Sequence, residues 1–302
     1  MRISVCVVAP SYNHEQFIKQ CLESIINQIR DNYDLDLIVI DDASTDETAK
    51  IAREFLRNKY VKKALRNVDI IENKVNMGSH VNYNKAIDMT SADVIHFMNT
   101  DDWIEPNRVK AVVDVYRDAL KQSAGEYFWG FGKVLLVDEN NQPISGDGFW
   151  QYLTHVIDYS VRNLPSASFH LLKDNLAIST GNIFTSSIFA KKIGGFNDYK
   201  YVHDWDFALR CILFSEPAIL DTPRSAYMYR HHPGNSFRKL GHIGHLESFE
   251  VLYRYFYNAM LRTPENIKTL SQSNYGIAVM KAFLAENPGH KQIAAKIISL
   301  LS

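Results

Sequence analysis

The sequence lacks several features that would place it in other large classes of protein. Its 302 residues include only three cysteines, Cys6, Cys21 and Cys211, and none has the spacing of a metal-binding motif. Because the count is odd and two of them lie in apolar periodic segments, we expect reduced, buried thiols, as in a cytosolic protein. No stretch approaches the roughly 20 apolar residues of a membrane-spanning helix. The apolar run after Arg2 stops at Pro10, too soon for the core of a signal peptide, so we expect a soluble intracellular chain.

The chain also lacks an excess of charge of either sign. With 33 basic and 34 acidic residues its formal net charge is -1, which gives no electrostatic reason to expect a nucleic-acid partner. A small molecule or a glycan is the better expectation.

Glycine-rich phosphate-binding loops are missing as well. No Gly-x-Gly-x-x-Gly motif and no Walker A motif follows a predicted strand, which argues against a dinucleotide-dependent dehydrogenase and a P-loop enzyme. The turn at residues 10–14, after the first predicted strand, contains no glycine, which argues against a nucleotidyltransferase.

What the sequence does contain is an alternation of strand-like and helix-like segments. Strands are predicted at 3–9, 35–40, 68–72 and from 94 to the acidic pair at 101 and 102, with helices at 17–29, 44–60 and 79–89 between them. Such an alternation predicts a parallel sheet covered by helices on both faces. Ser44 and Glu47 have the form of a capping box that opens the second helix. Residues 127–137 predict one long strand.

Two adjacent carboxylates, Asp101 and Asp102, stand where a short apolar run ends. Ligands of open α/β sheets bind at the carboxyl ends of strands, and two acidic side chains there could hold a divalent cation that bridges to a phosphate. The same pattern is ordinary for a solvated turn before a helix, so both readings stay open on this stretch alone.

Five polar segments follow one another along the chain in an order that is typical of one enzyme family. They are Pro10-Ser11-Tyr12-Asn13, the stretch from Asp41 to Asp46, Asn76-Met77-Gly78, the pair Asp101-Asp102, and His203-Asp204-Trp205-Asp206 with Arg210 downstream. In order and spacing this set resembles the family-two glycosyltransferases of the GT-A fold, which transfer a sugar from a nucleotide-diphosphate donor with inversion. The resemblance covers roughly residues 1–237.

The resemblance implies a site. Its nucleotide-sugar contacts would be Pro10, Tyr12, Asn13, Asp42, Asn76, Gly78, Asn99 and Asp101. Its metal contacts would be Asp101, Asp102 and His232, holding a divalent cation, Mn²⁺ or Mg²⁺. Asp204 would be the general base that takes the proton of the acceptor hydroxyl.

The resemblance also implies an architecture and partners. The fold would be α/β, a GT-A (Rossmann-like), mostly parallel central sheet with flanking helices. Residues 1–137 would form the nucleotide-sugar-binding half, 138–238 the acceptor-binding and catalytic half of the same domain, and 239–302 a C-terminal helical extension. The donor would be a UDP-sugar and the acceptor a glycan or lipid-linked glycan of cell-surface polysaccharide synthesis. We expect a cytoplasmic, metal-dependent, hexosyltransferase-like enzyme. Its C-terminal helices are candidates for peripheral contact with the inner face of the membrane. The alternative is a non-catalytic sugar-binding or scaffold protein with the same fold.

Three positions depart from the family pattern. Asn99 stands where the family often has Asp, so one negative charge is lost near the donor. Residues 82–84 replace an Ala-Arg-Asn segment, which removes a cation that could pair with phosphate. His203 replaces the usual Glu before Asp204.

Overall fold

The computed structural model describes residues 2–146, 148, 151–152, 167–172, 174–235, 243–244, 246–248, 250–252 and 254–255. The strands are β1 (Ile3–Ser11), β2 (Tyr33–Asp41), β3 (Asn67–Glu72), β4 (Val94–Phe97), β5 (Trp103–Ile104), β6 (Trp129–Gly132), β7 (Val134–Asp138), β8 (Phe184–Ser186), β9 (Ala218–Leu220) and β10 (Tyr227–His231). The principal α-helices are α1 (Ile18–Ile26), α2 (Thr48–Arg57), α3 (Lys59–Ala64), α4 (Ser79–Met89), α5 (Arg108–Lys121), α6 (Ala167–Leu171), α7 (Ser187–Lys192) and α8 (His203–Cys211).

Within these residues, seven strands form the central sheet in the order β3-β2-β1-β4-β8-β6-β9. The first four pair in parallel, β8 runs antiparallel to β4 and β6, and β6 is parallel to β9. A smaller sheet has the order β5-β10-β7. The predicted α/β fold with a mostly parallel sheet is confirmed.

Helices cover both faces of the sheet. On one face Val5 and Val7 of β1 pack in a core with residues of α1, α2 and α5. On the other face Cys6 and Val8 pack with residues of α4, α7 and α8. All nine residues of β1 are buried, as expected for a strand with helices above and below it. The three cysteines are free and buried, as predicted.

Two local predictions were wrong. The predicted long strand at 127–137 divides at Lys133 into β6 and β7, which belong to different sheets. The capping box of Ser44 and Glu47 does not form, because the Ser44 hydroxyl accepts the backbone N–H of Asn13 at 3.0 Å. Helix α2 begins at Thr48 instead, where the Asp46 carboxylate accepts the Thr48 N–H at 3.0 Å.

The predicted C-terminal extension lies mostly outside the described residues. Those described between 246 and 255 are helical, and Val251 and Tyr255 are buried in the core beside α8. The Glu247 carboxylate accepts the backbone N–H groups of residues 200–202, just before α8. The start of the extension is therefore attached to the helix that carries Asp204.

None of the helices in the ranges given above combines the length and the apolar composition that spanning a bilayer requires.

Candidate active site

The turn after β1 is joined to the turn after β2. Asn13 has a positive φ of 55°, and its side-chain oxygen accepts the Thr45 N–H at 2.8 Å. Asparagine tolerates this left-handed backbone better than most residues. Pro10 is buried, and its carbonyl accepts the Thr100 hydroxyl at 3.2 Å. Tyr12 remains 43% exposed, so its ring face is available for stacking.

Asp42 stabilises the turn after β3 by accepting three hydrogen bonds from it. One carboxylate oxygen accepts the Asn73 side-chain amide at 2.9 Å and the Met77 N–H at 2.8 Å, and the other accepts the Gly78 N–H at 2.9 Å. Burial alone would raise the pKa of Asp42, but these hydrogen bonds outweigh it and lower the pKa. Gly78 has a φ of +88°, which a residue with a Cβ rarely adopts, and Asn76 is exposed.

Asp41 and Ser11 carry the unused polar atoms at this edge. They are paired residues at the ends of β2 and β1. Asp41 Oδ1 and Ser11 Oγ are buried, and neither has a hydrogen-bond partner in the described part of the chain. Buried polar atoms normally have partners, so this pair marks a place where a ligand group would fit. Neither residue was assigned a role from the sequence, although the register of two parallel strands places both at the ligand-binding edge.

Asp101 lies between two imidazoles. His232 Nε2 is 3.2 Å and His14 Nε2 is 3.8 Å from the same oxygen, Asp101 Oδ2. The other oxygen, Oδ1, is buried and has no partner among the described residues. Burial opposes ionisation of Asp101, but the two histidines outweigh it and lower its pKa. His14 was missed by the sequence analysis, because nothing in the turn sequence distinguishes it from a surface histidine.

Asp102 points into the protein instead. It is 1% exposed; one oxygen accepts the Arg230 N–H at 2.7 Å, and the other accepts the Tyr227 hydroxyl. Burial and the neighbouring Asp101 charge raise the pKa of Asp102 well above its usual value. Arg230 also donates to the Asp101 carbonyl at 2.7 Å. The acidic pair is thereby fixed to β10, and Asp101 is the member with an unused oxygen.

Two hydrogen bonds connect the loop that carries Asn99 to the start of α8, the helix that carries Asp204. Asn99 donates to the Ser179 hydroxyl at 2.9 Å, and the next residue, Thr180, shares a hydrogen bond of 2.9 Å with His203 Nε2. His203 is the first residue of α8 and Asp204 the second. Two consecutive residues therefore connect the loop of Asn99 to the start of α8.

Asp204 is suited to accept a proton. It is 7% exposed, and one of its oxygens accepts the Trp205 N–H at 2.8 Å. Burial raises the pKa of Asp204, and this effect exceeds the lowering by His203 and by hydrogen bonds. A carboxylate of raised pKa is a stronger base than an exposed one, which is what general-base catalysis needs.

At residues 82–84, where the family commonly has an arginine, uncharged side chains make hydrogen bonds within the protein. The Tyr83 hydroxyl donates to Asn99 Oδ1 at 2.7 Å, and Asn84 exchanges hydrogen bonds with the Phe196 backbone at 2.7 and 2.8 Å. Tyr83 thus orients the amide that replaces the family's aspartate.

No set of three or more His, Cys, Asp or Glu side chains in the described ranges is arranged to hold a metal ion unaided. A cation here would need further ligands from a bound phosphate or from water, which is how Mg²⁺ is commonly held.

Known proteins resemble this chain in sequence. A poly(ribitol-phosphate) beta-glucosyltransferase from Bacillus spizizenii is 35% identical over 103 residues, which are 34% of this chain and 15% of that protein. For the first three curated relatives the match spans between 15% and 28% of their length.

Solved structures share the fold. The structure of S. aureus TarS 1-349 in complex with UDP-GlcNAc matches 93% of this chain and 72% of that chain, with a TM-score of 0.62 and 16% identity. The mannosyltransferase PcManGT from Pyrobaculum calidifontis, in complex with GDP-Man and Mn2+, matches 100% of this chain and 81% of that chain, with a TM-score of 0.55 and 17% identity.

The family model described as glycosyl transferase family 2 matches residues 6–166, just over half of the chain. The expected resemblance is therefore confirmed: the chain belongs to glycosyl transferase family 2 and has the GT-A fold.

Proposed function

We propose that this protein is an inverting, hexosyltransferase-like glycosyltransferase that moves a sugar from a UDP-sugar to a hydroxyl of a glycan acceptor. Family membership supports the transfer chemistry, and the TarS complex with UDP-GlcNAc supports a UDP donor. The relative named for glucosyl transfer to poly(ribitol-phosphate) supports a role in cell-surface polysaccharide synthesis. The acceptor would be a free or lipid-linked glycan, reached from the cytoplasm at the inner face of the membrane.

The observation that carries the proposal is the free oxygen of Asp101. A buried carboxylate oxygen without a partner among the described residues is an uncompensated acceptor, and such an atom fits a cation or a ligand hydroxyl. It lies just after β4, at the edge of the sheet where α/β proteins bind their ligands.

The donor would enter between the turns that follow β1, β2 and β4. Tyr12 would stack on the base, as the sequence predicts. For the hydrogen bond to the base we favour Asp41 over the predicted Asp42, because Asp41 Oδ1 is unused whereas both oxygens of Asp42 accept bonds from the protein. The turns after β1 and β3 would form the walls of this pocket, and their backbone includes the predicted donor contacts Asn13, Asn76 and Gly78.

The residues present fit a divalent cation. Asp101 supplies an unused hard oxygen, whereas both oxygens of Asp102 accept hydrogen bonds, so we assign Asp101 as the metal ligand and Asp102 as its support. When bound, such a cation neutralises the diphosphate leaving group. Asn99, oriented by Tyr83 and Ser179, would contact the donor sugar or ribose.

Asp204 would act on the acceptor. Its carboxylate would take the proton of the acceptor hydroxyl as that oxygen attacks the anomeric carbon, on the face opposite the departing nucleotide. Burial favours this role because it makes the carboxylate more basic.

The first experiment is isothermal titration of the full chain with UDP, GDP and dTDP, each with and without Mn²⁺. We expect metal-dependent binding of UDP in preference to the other two. A preference for GDP or dTDP would refute the donor assignment, and no binding of any nucleotide would refute the proposed function. Binding of UDP without release of UDP from any UDP-sugar and glycan acceptor would favour the non-catalytic sugar-binding protein.

A further inference from the structure

Basic residues are concentrated in one short stretch of the chain. Residues 50–66, which include most of α2, all of α3 and the residues leading to β3, contain a single acidic residue, Glu54. The same stretch contains seven basic residues: Lys50, Arg53, Arg57, Lys59, Lys62, Lys63 and Arg66. Because the whole chain has a formal net charge of -1, this stretch is far more positive than the rest. Such a cluster is typical of a surface that meets an anionic partner.

Four of the seven cations lie without a carboxylate partner where α2 meets α3. The other three form ion pairs, namely Lys50–Glu47, Arg53–Glu72 and Arg66–Asp36. Within the described part of the chain, the four that pair with no carboxylate are all exposed: Arg57, Lys59, Lys62 and Lys63. We call these four residues, together with Tyr60 between them, the basic corner.

The local fold directs the basic corner toward solvent. Asn58 caps α3, since its side-chain oxygen accepts the Tyr60 N–H at 2.9 Å. Val61 and Leu65, four residues apart, are buried in the core that also contains residues of α2. One side of this short segment is thus fixed to the protein, and residues 59, 60, 62 and 63 face outward. Tyr60 is 64% exposed, and an exposed tyrosine ring among cations suits the boundary between water and lipid.

The basic corner lies at the amino ends of the strands, opposite the donor site. At the end of α3 the Ala64 carbonyl accepts Arg30 at 2.9 Å, and the Arg66 N–H donates to the Leu35 carbonyl of β2 at 2.8 Å. A cleft of about 1050 Å³ opens at this edge, and its lining includes Arg2, Arg30, Tyr33, Tyr60, Lys63 and Arg66. β1 has nine residues, so at about 3.3 Å per residue the two edges of the sheet are about 30 Å apart.

The opposite edge carries the opposite charge. Acidic side chains end or follow β2 and β4 there, namely Asp41, Asp42, Asp46, Glu47 and Asp101. The molecule is therefore polarised along its strands, with carboxylates at the carboxyl ends and free cations at the amino ends. An anionic surface attracts the basic edge and repels the acidic one, which favours a single orientation.

We propose that the basic corner docks this protein on an anionic membrane surface, with Tyr60 at the level of the lipid headgroups and the donor site facing away. Clusters of Lys and Arg bind anionic headgroups, and an exposed aromatic ring adds apolar contact. This assignment goes beyond the proposed function and differs from the sequence prediction, which gave membrane contact to the C-terminal helices.

The orientation has a consequence for the acceptor, and this consequence rests on the proposed function. With the donor site about 30 Å from the docked edge, a lipid-linked acceptor would have to extend over that distance. Its reacting hydroxyl would then lie at the outer end of a glycan chain and not beside the lipid.

The test is sedimentation of the full chain with vesicles of phosphatidylcholine, with and without phosphatidylglycerol as the anionic lipid. We expect binding only to the anionic vesicles, weakened by added salt. A Lys or Arg near such a surface contributes about fivefold in affinity, so Lys62→Gln/Lys63→Gln should bind about 25-fold more weakly. Tyr60→Ser should also weaken binding, because the apolar contact is lost. All three side chains are exposed, so thermal unfolding should stay at the wild-type temperature.

The matched control is Lys19→Gln/Lys50→Gln, which removes the same charge near the donor edge. These side chains are 67% and 57% exposed and lie at the starts of α1 and α2. Salt screens their attraction to a surface docked at the other edge, so vesicle binding should stay within about twofold of the wild type. Equal weakening in the two double variants would overturn the assignment, because net charge and not the basic corner would then control binding.

Other outcomes would also overturn the docking assignment. These are failure of the wild type to bind anionic vesicles, full binding by Lys62→Gln/Lys63→Gln, and tighter binding to soluble polyphosphate than to vesicles, which would assign the corner to an anionic polymer. UDP titration with and without anionic vesicles tests the orientation: we expect equal affinities, and competition between vesicles and UDP would refute it. Failure to bind UDP in the absence of vesicles would refute the proposed function and leave the docking surface standing.

Discussion

Replacing Asp42 with asparagine keeps the shape of the side chain and removes its charge and one acceptor oxygen. In the wild type, one oxygen accepts from Asn73 and Met77, and the other from Gly78. An amide has a single acceptor oxygen, so its NH₂ group must face at least one of these donors. The orientation that keeps two of the three bonds leaves the Gly78 N–H facing another donor.

The expected loss of stability follows from these bonds. A hydrogen bond to a charged group contributes about 1.5–3 kcal/mol, and a buried donor left without a partner costs about 1–3 kcal/mol. We therefore expect Asp42→Asn to lower the free energy of unfolding by about 3 kcal/mol. For a chain of this size that corresponds to a fall in Tm of about 5 °C.

Asp41→Asn is the matched control. One oxygen of Asp41 accepts the Ser44 N–H at 3.0 Å, and the other has no partner among the described residues. An amide can keep the first contact and turn its NH₂ toward the unused side, so we expect a change in the free energy of unfolding within about 1 kcal/mol. If Asp41 binds the base, UDP binding should weaken by about 10-fold or more, because a charged acceptor is lost.

The two variants are compared by urea unfolding and by UDP titration. We expect Asp42→Asn to lose stability and Asp41→Asn to lose affinity. If Asp42→Asn has wild-type stability but no longer binds UDP, this reasoning is refuted, because Asp42 would then contact the base and not stabilise the turn.

The remaining predictions concern Asp204 and Gly181. Asp204→Asn should lower the transfer rate by about 10²- to 10⁴-fold while UDP affinity stays near the wild-type value, and undiminished turnover would refute the general-base role. Because the base acts ionised and burial raises its pKa, kcat/KM should fall with decreasing pH at a higher pH than for an exposed aspartate, and a profile without such a fall would count against the role. A Cβ at Gly181 would lie 2.1 Å from the Tyr227 hydroxyl and 2.7 Å from the backbone nitrogen of Asn99, so Gly181→Ala should cost about 1–3 kcal/mol and weaken UDP binding with Mn²⁺. A Cβ at Gly148 meets no atom of the described residues within 4 Å, so Gly148→Ala is the control, and equal behaviour of the two variants in thermal unfolding and titration would contradict the steric account.

The fold and the order of the site were predictable from the sequence because their signals are local. Apolar runs and helical periodicity predicted the strands and helices of the first half of the chain, and the sheet they form is observed. The polar turns at strand ends identified the family, since parallel strands bring their carboxyl ends to one edge. Local pattern was insufficient at residues 127–137, where one apolar run supplies strands to two sheets.

The tertiary structure alone distinguished the two members of each acidic pair. Asp41 and Asp42 are equivalent in a motif, as are Asp101 and Asp102, but Asp42 meets the turn at residues 77–78 and Asp102 meets Tyr227, 125 positions along the chain. Which carboxylate is left free for a ligand depends on donors brought together by the folded sheet. The same holds for His14, because only the folded sheet brings its ring to Thr100 and Asp101.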